Sequence, residues 1–124
     1  MFKNEQQRAA VCDCLCAEAR LRERMWTTQG PDGYPGPTKA AVQVRSGKFP
    51  LSPGERKVVL AAWDIWNGSG KVKVGDLMYG LDRHNLETLG SCLTAMANGP
   101  HAIDLWLLKH SPFREDTPRV LTTT

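Results

Sequence analysis

The chain has 124 residues, 41% hydrophobic and 23% charged, with a formal net charge of +3. One domain of that length buries roughly two-thirds of the surface its unfolded chain exposes, and the overall composition is that of a globular chain, far from a disordered one. Residues 1–28 carry five basic and four acidic side chains, residues 29–75 seven and three, and residues 76–124 four and six, so the basic middle lacks the dense run of a phosphate-binding face.

The opening stretch "MFKNEQQRAAVCDCLCAEAR" has no uninterrupted apolar run of the secretory type, and nothing downstream reaches a membrane-spanning length. A cytoplasmic setting without membrane attachment is expected, with Cys12, Cys14, Cys16 and Cys92 as thiols. Asn4 followed by Gln7 resembles a capping box, and residues 5–27 contain neither Gly nor Pro, so the first helix is predicted to run to residue 27. Its apolar arc of Ala10, Val11, Cys14, Leu15, Ala17, Leu21 and Met25 is made mostly of small side chains, which suits close packing on a neighbour. Asp13, Arg20, Glu23 and Arg24 fall on the opposite arc.

Three glycines and three prolines in "TTQGPDGYPGPT" end that helix and open a loop spanning residues 28–50. Within it, residues 39–49 read equally as a short strand or as two helical turns. Ser52, Pro53 and Glu55 form a capping box that starts a helix over residues 53–66. Val58, Ala61, Ala62 and Ile65 are its predicted buried face, with Trp63 around the back. Residues 76–81 make a short helix or turn. Asp82 caps a helix over 83–97 that puts Leu86, Leu89, Leu93, Met96 and Ala97 on one face, with Gly90 placed to admit a neighbour. "NGP" at residues 98–100 stops it, and Pro100 opens a last helix, apolar on most sides, that should be central or covered by a partner. Residues 111–124 form a C-terminal arm, with Phe113 or Val120 and Leu121 as docking points.

The corner "WDIWNGSGKVKVGDL", residues 63–77, has the most chemical spacing in the chain. Gly70 as the sixth position of a calcium loop places Ile65, Asn67, Ser69, Val72 and Asp76 at the first, third, fifth, eighth and twelfth positions. One carboxylate and two neutral oxygens hold calcium too weakly, so the segment is a degenerate EF-hand-like turn. "GSGKVKVGD" also lacks phosphate-loop spacing. The corner reads as shape: "NGSG" a tight turn, "KVKV" a short extended segment.

Cys12 and Cys16 share a helical face and could give zinc two ligands, with Cys92 or a histidine toward the rest of a tetrahedral set; the alternative is that they act as small hydrophobes. His84, His101 and His110 stand near no recognisable nucleophile. No enzyme, cofactor or resident metal is therefore expected. Trp63 is either exposed, as an interface anchor beside Arg20, Arg24, Lys71 and Lys73, or covered by the 28–50 loop.

The run "LAAWDIWNGSGKVKVGDL" followed by spaced leucines resembles short reading frames of bacterial phages, plasmids and integrative elements, in which a helix ending in W-N meets a glycine corner and a D-L helix. That resemblance covers about forty residues and implies a small helical protein that binds and disables a host defence complex, of the anti-CRISPR kind. The combined expectation is a single mainly α domain of four to five helices with one short extended segment or minor β-hairpin. Its expected function is non-catalytic binding of a protein partner, as monomer or homodimer, through Arg20, Arg24, Trp63, Lys71 and Lys73. The alternative is a small nucleic-acid binder using the basic middle.

Overall fold

The structure is a computed structural model that describes residues 2–110; the expected C-terminal arm lies outside the described residues. Helix α1 (Glu5–Glu18) begins where Asn4 Oδ1 accepts the Gln7 N–H at 2.7 Å, while Gln7 Oε1 accepts the Lys3 N–H at 2.9 Å, a capping box displaced by one residue. The helix predicted to reach residue 27 stops at Glu18. Arg20 adopts φ 63°, its N–H donates to the Ala17 carbonyl, and the Leu21 N–H donates to that of Cys16. This is a Schellman closure with arginine where glycine is usual. A gap in Gly and Pro permits a longer helix, but burial overrides it. The reversal returns Leu21, Met25 and Trp26 to the side of α1 formed by Ala9, Cys12 and Cys16.

Trp26 and Thr27 form β1, which pairs antiparallel with β2 (Gly36–Pro37) in the register Trp26↔Pro37 and Thr27↔Gly36. The minor hairpin thus lies in the Gly/Pro stretch, and "KVKV" is not part of it. Thr38 then accepts the Ala41 N–H and starts α2 (Lys39–Arg45), which settles residues 39–45 as helix. Helix α3 (Pro53–Asn67) carries the expected reciprocal Ser52 and Glu55 capping box. It is followed by α4 (Val74–Gly80), α5 (Arg83–Asn98, capped by Asp82) and α6 (Pro100–His110). The described residues are mainly helical, with six helices and this one two-strand hairpin, and no helix among them is long and apolar enough to cross a membrane.

Helices α1 and α3 run antiparallel: the Arg8 guanidinium donates to the Trp66 carbonyl, and the Cys12 thiol to that of Ala62. Two cores flank this pair. Ala9, Cys12 and Cys16 enter one with the hairpin, α2, Val59 and Trp63; Val11, Cys14 and Leu15 enter the other with Val58, Leu89, Cys92, Ile103 and Trp106. Helix α1 therefore buries side chains in two directions, which is why its residues are small and no single stripe dominates. The one buried amide side chain among the described residues, Gln7, donates to the Pro100 carbonyl and Asp104 and joins α1 to α6.

Two packing expectations are corrected. On α5, Leu89 is buried and Leu86 and Met96 pack on the second core as expected, but Leu93 is 49% exposed and a Cβ at Gly90 would meet nothing within 4 Å, because the buried side extends toward Thr88 and Cys92 instead. Helix α6 is two-faced rather than central: Ile103 and Trp106 are buried while Leu105 and Leu108 face out. Close backbone approach occurs instead at Gly70, where a methyl group would overlap the Leu60 carbonyl. Replacing Gly70 with Ala is therefore expected to destabilise the fold by about 3 kcal/mol or more. Gly90→Ala, in an open helix interior, should stabilise it by about 0.5–1 kcal/mol. Urea midpoints of the two variants, measured side by side, check both.

Candidate protein-binding surface

The corner between α3 and α4 is built from backbone demands. Gly68 takes the left-handed conformation at φ 79° and donates to the Asp64 and Trp63 carbonyls, ending α3. Asn67 Oδ1 accepts the Ser69 N–H at 3.1 Å. The Asp64 carboxylate then accepts three consecutive N–H groups, from Gly70 at 2.8 Å, Lys71 at 3.0 Å and Val72 at 3.1 Å. Three converging N–H groups form an anion nest, and here the anion is the chain's own side chain. Lys71 sits at φ 55° to aim its N–H inward.

This polarity is the reverse of what a cation needs. Of the calcium-register positions, Ile65 packs against both cores, Asn67 is spent on Ser69, Ser69 Oγ accepts from Arg45, and Asp76 is exposed on the first turn of α4. Asp64, which sequence reasoning did not single out, controls the corner. Its signal was an acid in the last turn of a helix just ahead of a glycine-rich turn, where it can reach freed N–H groups.

Beyond the corner, α4 buries none of its residues. Leu77 leans on the second core, whereas Val74, Met78 and Tyr79 are 71%, 56% and 91% exposed. Brevity is not the reason, since the seven-residue α2 buries Ala40, Ala41 and Val44; among the described residues no element covers the outer side of α4, and its apolar groups remain in water. Lys71 and Lys73, both exposed, stand at its start, and the Lys57 stem lies across Gly80 at its end.

The five expected contact residues do not form one face. Trp63 is corrected outright: it is 2% exposed, its indole N–H donates to the Ala41 carbonyl at 2.9 Å, its ring meets Trp26 edge-on at 5.2 Å, and Arg45 stacks over it at 3.8 Å. A helical wheel of α3 alone places it outward because α2, its cover, folds over from the 28–50 segment. Arg20 and Arg24 do not stack on a helix. Arg20 is exposed at the turn, and Arg24 is half-buried with its Nε 3.9 Å from Asp13. Both follow the C-terminal end of α1, whose Leu15 packs near Val58, while Lys71 and Lys73 lie beyond the opposite end of α3. Lys71 and Lys73 alone are brought together with exposed apolar groups.

A second polar cluster joins three helices. Glu18 faces His84 at 3.2 Å and His110 at 3.6 Å, and His110 rests on Trp106. The nearby Ser91 hydroxyl donates to the Thr88 carbonyl and accepts from Trp106, so its proton is already engaged. All four cysteines are buried thiols outside any disulfide. Burial pushes Cys92 up to about 12, and burial, reinforced by Cys16 and Cys92, holds Cys12 well above the ordinary thiol value. Cys12 and Cys16 enter one core and Cys14 and Cys92 the other, as small hydrophobes do, and no group of three or more metal-ligating side chains is assembled among the described residues.

Searches of protein-family models, of curated proteins and of solved structures find no match to the chain.

Asp64→Ala would strip one acceptor from three N–H groups at once and is expected to cost about 2–4 kcal/mol, with Asp64→Asn milder. Equilibrium urea unfolding measures this. The thiols set an alkaline limit. A folded-state value raised above the unfolded one favours the neutral form, so stability is complete below pH 9.0, the ordinary value, and is lost as pH rises toward 12. Unfolding free energy should therefore fall between those limits, with a shallower slope in Cys92→Ala, when unfolding is followed by tryptophan fluorescence under reducing conditions.

Proposed function

We propose that the chain is a non-catalytic protein-binding module whose contact surface is the outer side of α4 together with Lys71 and Lys73. The observation that carries this reading is the exposure of Val74, Met78 and Tyr79 on a helix with no buried residue. Each such side chain forgoes about 1.5–3 kcal/mol that full burial would bring. Grouped exposure of this kind marks interaction sites, and Met and Tyr are enriched there while Lys belongs to the rim. A narrower form, an anti-CRISPR-like inhibitor acting in the cytoplasm, rests on the resemblance of the corner segment to mobile-element reading frames.

A second reading has its own observation. Arg45 binds Ser69 Oγ at 3.0 Å and stacks on Trp63, which holds α2 beside the corner and brings basic groups from both parts of the +4 middle segment together. Such a surface would suit nucleic acid, and salt separates the two: affinity resting on six phosphate contacts falls by about a thousandfold from 50 to 200 mM salt.

The test places a photo-crosslinking amino acid at Tyr79, with Thr94 on the exposed side of α5 as the control position. Crosslinking to a protein from position 79, abolished by Met78→Asp and insensitive to nuclease, is the expected outcome. Crosslinking only to nuclease-sensitive material, or equal yields from both positions, would overturn it.

A further inference from the structure

The charges around α4 are sorted by sign. Three of the neighbouring carboxylates turn inward onto backbone N–H groups: Asp64 onto Gly70, Lys71 and Val72, Asp82 onto Asn85, and Glu55 onto Ser52. The last two also sit at helix N-termini, where the helix dipole offsets negative charge. Asp76 is the carboxylate of α4 itself, exposed on its first turn. The ammonium groups of Lys71 and Lys73 point into solvent and have no ion pair among the described residues, and Lys57 lies at the far end of the helix. An approaching partner therefore meets an apolar strip with lysines at both ends, Lys71 and Lys73 outnumbering the one exposed carboxylate of α4, Asp76, at its start.

Val74 and Met78 are one helical turn apart, about 6 Å between Cβ atoms, and α4 as a whole is about 10 Å long. That strip matches two successive apolar positions on a facing amphipathic helix, and positive ends match acidic margins. Resting on the protein-binding reading above, we infer that α4 takes an acidic amphipathic helix of a partner protein. Its apolar residues, spaced i and i+4, would cover Val74, Met78 and the Tyr79 ring, and its Asp or Glu side chains would face Lys57, Lys71 and Lys73.

Two synthetic amphipathic helices test this, both with Leu at i, i+4 and i+7, one with Glu and one with Lys on its margins. Binding is read from backbone amide shifts of the full chain. The Glu peptide should bind at least about tenfold more tightly than the Lys peptide and weaken as salt shortens the range of the charges. Met78→Ser with Val74→Ser should abolish binding of both peptides. Lys71→Glu with Lys73→Glu should reverse the preference, a gain for the Lys peptide that a misfolded variant would not show. Equal affinities, or shifts mapping away from α4, would overturn the inference. So would tighter binding to phosphatidylglycerol vesicles or to duplex DNA than to the Glu peptide. Should the Glu peptide fail while position 79 still crosslinks to a protein, the acidic-helix inference falls and the protein-binding reading stands; should crosslinking fail as well, both fall.

Discussion

Everything in this fold is arranged around the close contact of α1 with α3. The two helices lie antiparallel with alanine and cysteine side chains between them, near enough for the Cys12 thiol to reach the Ala62 carbonyl at 3.4 Å. Small residues are what permit that approach, and they leave α1 able to serve two cores at once. The hairpin and α2 close over one side, α5 and α6 over the other. A helix used in this way shows no strong polar face, and its three cysteines need no chemical role to account for their spacing.

The α3 to α4 corner follows from this frame. Gly70 fits against the Leu60 backbone, and the Asp64 carboxylate gathers the N–H groups that the end of α3 leaves free. A turn with that internal polarity is complete without an ion, and it holds α4 out along α3 as a short helix with little to cover it. Asp64, Asp82 and Glu55 are turned toward backbone while Lys71 and Lys73 are exposed, so the hydrogen bonds that stabilise the corner also weight the surface beside it toward positive charge, with Asp76 the exposed exception.

Local signals were legible wherever the deciding atoms are close in sequence. Ser52 with Glu55, Asp82 before α5, and the Asn98-Gly99 stop all act within one helical turn, and each appears as read. The limits of α1 were not legible, since nothing between residues 5 and 27 forbids helix and the reversal at Arg20 is compelled by the distant partners of Met25 and Trp26. Trp63 shows the same limit from the other side. A wheel drawn on α3 alone has no means of including α2, yet Ala41 and Arg45 are what enclose that ring. For the candidate site, Lys71 and Lys73 were found from the pattern of the corner, whereas Val74, Met78 and Tyr79 look like ordinary core residues until the packing of the other elements leaves the outer side of α4 uncovered.

By itself, then, the sequence determined the mainly helical class, the starts of α3 and α5, and the glycine corner, because caps, turns and periodicity are interactions within a few residues of chain. Only the tertiary structure decided which faces are buried, where α1 ends, that Asp64 fills its own turn, and which side chains remain for a partner. Those outcomes depend on which surfaces meet, and burial against a distant segment outweighs local helical preference, worth less than 1 kcal/mol per residue for most side chains.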